Sequence, residues 1–110
     1  MPTSEAFSLP DQLFVLDRED DTQEFLDMLL TLCTFGVSVG LLLVDTGVKA
    51  IAAEHRGIPV SCFGDMGLQH LMVESRTTSH NQSSLPDTAI PVDEPQIQDL
   101  YARVPRILHP

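Results

Sequence analysis

The chain contains one almost unbroken apolar run, Val37–Val44 (VSVGLLLV), which is followed directly by Asp45-Thr46-Gly47. A strand that is apolar at nearly every position has both of its faces buried, which is typical of a central strand in a parallel sheet. A second apolar run, Gln12–Leu16 (QLFVL), predicts a neighbouring strand. The sequence therefore predicts an α/β fold in which a parallel sheet is covered on both sides.

The segment between these two strands has the pattern of a helix. Thr22–Phe35 carries a polar stripe that includes Asp27, and its other positions are mostly apolar. Such a broad apolar surface indicates packing on a sheet or on a second chain. Asp21 and Glu24 have the spacing of a capping box, so we expect the helix to begin there and to end at Gly36.

Strands and helices alternate along the rest of the chain. We expect a turn at Asp45–Gly47, a short helix at Val48–His55, a third strand at Ile58–Phe63, a short helix at Gly64–Val73, a fourth strand at Ala89–Val92, a helix at Pro95–Val104 and a last strand at Arg106–His109. This order predicts a small doubly wound, mostly parallel five-stranded sheet of the flavodoxin-like kind. We expect residues 12–110 to form one domain after a disordered lead-in at 1–11, and the polar segment Ser75–Asp87 to be either mobile or a partner surface.

The charge of the chain excludes several classes of function. Sixteen acidic residues stand against six basic ones, which gives a net charge of −10. Direct binding of nucleic acid and electrostatic binding to a membrane surface both need clustered Lys and Arg, so we expect neither. The first residues lack the pattern of a secretory signal, and no apolar run approaches the roughly 20 residues that span a bilayer. We therefore expect a cytoplasmic location.

Two cysteines are the first residues to consider for chemistry. Cys62 is predicted to end the third strand just before a helix, where free N–H groups would stabilise a thiolate and make Cys62 a catalytic sulfur carrier. The alternative, which we favour, is that Cys62 is a buried strand residue that packs as a small apolar side chain. Cys33 shares a helical face with Leu26, Leu29 and Leu30, so we expect it in the core.

The sequence predicts neither a resident metal nor a cofactor. The four histidines show no i,i+4 pair, and no glycine-rich phosphate loop follows the first strand. Carboxylates after that strand (Asp17, Glu19, Asp20 and Asp21) could bind Mg²⁺ and resemble the acidic pocket of response-regulator receiver domains. The lysine that such a domain needs after its fifth strand is missing, so a solvated capping loop is the simpler interpretation.

Two stretches of the chain resemble the DsrE/DsrF-like sulfur-relay family. The first runs from Phe25–Leu30 through Val39–Val48, where an apolar strand ends in an Asp-Gly-Val type turn with Thr46 inserted. The second runs from Ile90–Asp93 through Asp99–Arg103 to Arg106–Leu108 and resembles the end of the TusC (DsrF) branch. The chain departs from the family in the acidic loop Arg18–Asp21 and in a shorter, more polar segment at Gly57–Asp87.

The resemblance implies a flavodoxin-like subunit of a cytoplasmic heterohexamer built from three paralogous subunits. Such a complex passes persulfide sulfur between proteins, towards 2-thiouridine in tRNA or in sulfur oxidation. The family's sulfur-carrying cysteine belongs to the DsrE/TusD subunit, near the turn after strand three, and the TusC-like subunit is structural. That turn aligns nearer to Gly64 than to Cys62, so the role is not transferred to Cys62. The expected partners are DsrE/DsrH-like paralogues, with a homo-oligomer as the alternative.

Overall fold

The computed structural model describes residues 9–18, 21–75 and 89–110. Expectations for the start of the lead-in, for Glu19 and Asp20, and for nearly all of the polar segment at 75–87 lie outside the described residues. No helix in the described ranges is long and apolar enough to cross a membrane.

Two α-helices, two 3-10 helices and seven strands make up the described structure. In chain order they are β1 (Gln12–Leu16), α1 (Gln23–Thr34), β2 (Val39–Leu43), a first 3-10 helix (Asp45–Ala52), β3 (Glu54–His55), β4 (Ile58–Pro59), a second 3-10 helix (Val60–Met66), β5 (His70–Glu74), β6 (Ala89–Val92), α2 (Glu94–Arg103) and β7 (Arg106–Leu108).

The main sheet has five strands in the spatial order β6-β5-β2-β1-β7, and every neighbouring pair is parallel. The predicted doubly wound, five-stranded α/β fold is therefore confirmed. Counting only these strands along the chain, the spatial order is 4-3-2-1-5, whereas flavodoxin itself has the order 2-1-3-4-5. The strands β3 and β4 form a separate antiparallel hairpin.

The side chains of β1 and β2 alternate between two cores, one on each side of the sheet. On the α1 face, Phe14 and Leu41 pack with the buried side of α1, and the rings of Phe14 and Phe25 lie 4.9 Å apart. On the α2 face, Leu13 and Leu42 pack with Ile97 and the rest of the buried side of α2. Because every residue of β2 is buried, both faces of this strand need a covering layer.

The two α-helices begin in different ways. The capping box expected at Asp21 and Glu24 is wrong, because Thr22 is the N-cap residue of α1 and makes no side-chain cap hydrogen bond. Asp21 instead has a positive φ of 58°, in the left-handed region. A capping box is present in α2, where the side chain of Asp93 accepts from the N–H of Gln96 at 3.0 Å and the Gln96 side chain accepts from the N–H of Asp93 at 2.8 Å.

The largest error of the sequence prediction concerns residues 45–74. The expected third strand at Ile58–Phe63 is wrong: only Ile58–Pro59 is extended, within the hairpin, and a 3-10 helix follows. The expected helix at Gly64–Val73 is also wrong, because the third strand of the main sheet is β5. The expected turn at Asp45–Gly47 and most of the expected helix at Val48–His55 belong to the first 3-10 helix, and Glu54–His55 forms β3.

Residues 9–11, at the end of the expected lead-in, pack on the domain. Leu9 is partly buried against the α2-face core, and Pro10 is buried. The N–H of Asp11 donates to the carbonyl of Ser38 at 3.0 Å. This hydrogen bond holds the residue before β1 next to the residue before β2.

Gly47 lies where the chain leaves β2 and passes close to the end of β1. A Cβ atom at Gly47 would collide with the backbone carbonyl of Leu16, which has no side-chain freedom to yield. We expect Gly47→Ala to lower the free energy of unfolding by about 1–3 kcal/mol, the usual cost of overpacking. Urea denaturation checks this value, and Gly64→Ala is the matched control because a Cβ there meets no atom within 4 Å. Equal midpoints for the two variants would contradict the steric account.

Candidate functional site

Ligands of doubly wound sheets bind beyond the carboxyl ends of the strands, and in this protein that edge is acidic. Asp17 follows β1, Asp45 follows β2, Glu74 ends β5 and Asp93 follows β6. The N–H of Asp45 donates to Oε1 of Glu74 at 3.2 Å, which connects the ends of two neighbouring strands. The hydroxyl of Thr46 donates to the carbonyl of Asp17 at 3.1 Å.

Tyr101 of α2 lies close enough to this acidic edge for its ionisation to be affected. Burial raises the pKa of the Tyr101 phenol, and the negative charges of Glu74, Asp17 and Asp45 raise it further. The phenol therefore stays protonated at neutral pH and remains a hydrogen-bond donor. Its side chain is still 38% exposed, so it can meet a ligand or a partner at this edge.

The acidic edge does not form a metal site within the described part of the chain. No group of three or more His, Cys, Asp or Glu side chains in the described ranges could hold a metal ion. Asp17 and Asp21 of the predicted Mg²⁺ cluster are described, whereas Glu19 and Asp20 lie outside the described residues. The receiver-like interpretation stays a prediction.

Cys62 lies away from the carboxyl edge. It belongs to the second 3-10 helix, which precedes the amino end of β5, and it is a free, exposed thiol. The predicted position at the carboxyl end of a third strand is therefore wrong, and so is the favoured alternative of a buried strand residue. Gly64, to which the family's turn was aligned, belongs to the same 3-10 helix.

Cys33 behaves as the sequence predicts. It is buried in the α1-face core, and burial raises the pKa of its thiol. A buried thiol with a raised pKa is a packing residue and a poor nucleophile.

The structure also brings together three polar side chains that the sequence analysis did not connect, and we call Asp27, His55 and Arg56 the hairpin clamp. Asp27 projects from α1, and His55 and Arg56 belong to the β3–β4 hairpin. Arg56 donates to both carboxylate oxygens of Asp27, at 2.7 Å each, and Nε2 of His55 lies 2.7 Å from Oδ1. The His55 ring is only 4% exposed and packs edge-on against Phe63.

Arg56 and His55 stabilise the negative charge of the Asp27 carboxylate in the hairpin clamp. The hydrogen bonds from Arg56, and then that from His55, hold the pKa of the Asp27 carboxyl far below its usual value. The same contact raises the pKa of Arg56. Bidentate Arg–carboxylate pairs fix geometry as well as charge, so the clamp holds the hairpin against α1.

A polar cavity of about 340 Å³ lies beside the clamp, between the start of α1 and the hairpin. Its lining includes Lys49 and Arg56 together with the carboxylates of Asp21 and Glu54. Charges of both signs therefore face this space.

The sequence alone does not reveal the hairpin clamp, because Asp27 lies 28 residues before His55 and 29 residues before Arg56. Asp27 was recognised only as part of a polar stripe on α1. Gly57 is a local sequence signal for the hairpin turn, in which both Arg56 and Gly57 have positive φ, of 53° and 81°. Two such residues between short strands are typical of a tight hairpin turn.

No protein-family model matches this sequence, and a comparison with curated proteins finds no significant match.

The clamp predicts a specific dependence of stability on pH. Because the folded-state pKa of Asp27 lies below its unfolded value of about 3.8, its contribution is present at neutral pH and is lost as the pH falls below about 4. We expect Asp27→Asn to destabilise the protein at pH 7, and the difference from the wild type to shrink as the pH falls from about 4 towards 2. Urea unfolding across this pH range checks this decrease, with Asp65→Asn as the exposed control. A pH-independent difference for Asp27→Asn would contradict the clamp.

Proposed function

We propose that this chain is a non-catalytic or weakly catalytic subunit of a cytoplasmic sulfur-relay complex. In this role it shapes the interface on which paralogous DsrE/DsrH-like subunits assemble, and one of them supplies the cysteine that carries persulfide sulfur. The relay would lead towards 2-thiouridine in tRNA or serve sulfur oxidation.

The placement of the two cysteines is the observation that carries this proposal. Cys33 is buried in α1, and Cys62 lies in the second 3-10 helix. Neither thiol stands at the carboxyl edge of the sheet, where a doubly wound fold offers a ligand site. A subunit of this kind would therefore leave sulfur transfer at that edge to another chain.

The stretches that resemble the sulfur-relay family support the proposal in a second way. The first stretch contains most of α1, the whole of β2 and the beginning of the first 3-10 helix, and the second contains most of β6 and the whole of α2 and β7. Each stretch therefore coincides with consecutive elements of one parallel sheet. Of the two segments in which the chain departs from the family, Arg18–Asp21 lies between β1 and α1, and Gly57–Asp87 contains β4, the second 3-10 helix and β5.

Apolar side chains on the surface favour assembly. Phe35, after the end of α1, is 78% exposed, and Met28 on the same helix is 46% exposed. Residues seven apart lie on the same side of a helix, and apolar side chains grouped on a surface mark contacts with other proteins.

The direct test is an affinity purification of the tagged chain from its native cytoplasm, with mass spectrometry of the bound proteins. We expect small paralogues in defined ratio, one of them with a cysteine that reacts with alkylating reagents. Recovery of the chain without any paralogue would contradict the proposal.

A second function, sulfur carriage by Cys62, is favoured by the exposure of that thiol. In such a transfer the Cys62 thiolate takes the outer sulfur of a donor persulfide, and the donor leaves as a thiol. The chain would then gain about 32 Da, the mass of one sulfur atom, in a form that a reductant removes.

The subunit proposal predicts no such gain at Cys62 after persulfide loading of the purified complex. Intact-mass spectrometry should instead find the added sulfur on the paralogue. Cys62→Ser should leave the amount of bound sulfur unchanged. A reductant-sensitive gain that disappears in Cys62→Ser would establish Cys62 as the carrier.

A further inference from the structure

A mostly apolar groove of about 460 Å³ opens on the α2 face, beside the edge strand β6. Its described lining consists of Ile90, Val92, Pro95, Gln96, Asp99 and Leu100. The groove lies apart from Cys62 and from the hairpin clamp, and nothing in the fold described above uses it.

The groove exists because α2 is too narrow to cover its face of the sheet. Five strands about 4.8 Å apart span roughly 20 Å, whereas one helix with its side chains is about 10–12 Å wide. Among the described elements, α2 is the one α-helix that packs on this face. Val92 of β6 and Leu100 of α2 are buried where the helix meets the sheet, but Ile90 remains 39% exposed at the edge.

The edge strand itself is unsuited to adding another strand. Pro91 lies in the middle of β6 and has no N–H to donate. Proline and similar residues protect sheet edges from such pairing. A ligand of this groove is therefore better held through a side chain placed in it than through backbone pairing along β6.

The charge around the groove decides which partner fits. Asp93, Glu94 and Asp99 are exposed at the beginning and middle of α2, and Arg103 is paired with Asp99 at 3.2 Å. The whole chain carries a net charge of −10. A second copy would bring like charge to an acidic rim, whereas a basic partner would be attracted to it.

We propose that this groove docks a basic segment of a partner protein. The segment places one apolar side chain between Ile90 and Leu100, and its flanking Lys or Arg residues face Asp93 and Glu94. The inference rests on the groove and its rim alone, so it stands or falls separately from the sulfur-relay proposal.

The test is an NMR titration of the full ¹⁵N-labelled chain with the synthetic peptide acetyl-KRLLRK-amide. We expect saturable shifts of the backbone amides of Ile90, Val92 and Leu100. Ile90→Ser should raise the dissociation constant of the peptide about tenfold, because the substitution removes an apolar contact. Met66→Ser, which removes an apolar side chain of similar exposure from the second 3-10 helix, is the matched control and should bind like the wild type.

Two further peptides and a second variant separate the apolar and the electrostatic contributions. Acetyl-KRGGRK-amide lacks the apolar anchor and acetyl-EELLEE-amide has the wrong charge, so both should bind more weakly than acetyl-KRLLRK-amide. Glu94→Gln should weaken binding and reduce its dependence on salt. This variant keeps the test valid if Ile90→Ser fails to fold.

Four results would overturn the proposal. They are the absence of saturable shifts at the groove, equal binding of either control peptide, unchanged affinity in both folded groove variants, and concentration-dependent shifts at the groove without peptide. The last result would mean that a second copy of the chain occupies the groove.

Discussion

The structure depends on the burial of β2. Val39, Leu41, Leu42 and Leu43 are all 0% exposed, and their side chains point alternately into the two cores. Fully burying one such side chain contributes about 1.5–3 kcal/mol, so this strand cannot sit at an edge or on an open face. It must lie between β1 and β5, with a covering layer above and below. The place of β2 between β1 and β5, and the packing of α1 and α2 on opposite faces of the sheet, meet that requirement.

The sequence predicted the elements whose signals are local and strong. The strands at Gln12–Leu16 and Ala89–Val92 have the predicted bounds, and the predicted bounds of the central strand, both α-helices and the last strand differ by one to two residues at an end. The strands at Gln12–Leu16 and Val39–Leu43 lie in short, nearly continuous apolar runs, and α1 carries one polar stripe on an otherwise apolar surface. The parallel orientation of the strands in the main sheet was also predictable, because strands and helices alternate along the chain.

The sequence could not predict residues 45–74, for physical reasons. The 3-10 helices have neither the 3.6-residue nor the two-residue period that reveals helices and strands. In Ile58–Phe63 the β-branched and aromatic residues suggested a strand, but Pro59 stands within the hairpin and Val60 already begins a 3-10 helix. In β5 only Leu71, Met72 and Val73 are buried, too few to be distinguished from a helix by periodicity. Cys62 was misplaced for the same reason.

Long-range contacts account for what was missed in the candidate sites. The hairpin clamp joins side chains that are distant in sequence, and the groove beside β6 arises from the width of the sheet compared with one helix. The groove belongs to the proposal that this chain binds a partner protein, and the positions of Cys33 and Cys62 belong to the proposal that another subunit carries the sulfur.

The measurement that tests this account most directly is the native mass of the assembly that contains the chain, isolated gently from its source through a tag. The account predicts a complex whose mass includes other small subunits besides this 12.1 kDa chain, and collisional dissociation should release them. A mass equal to the chain alone, or to whole multiples of it, would contradict the account.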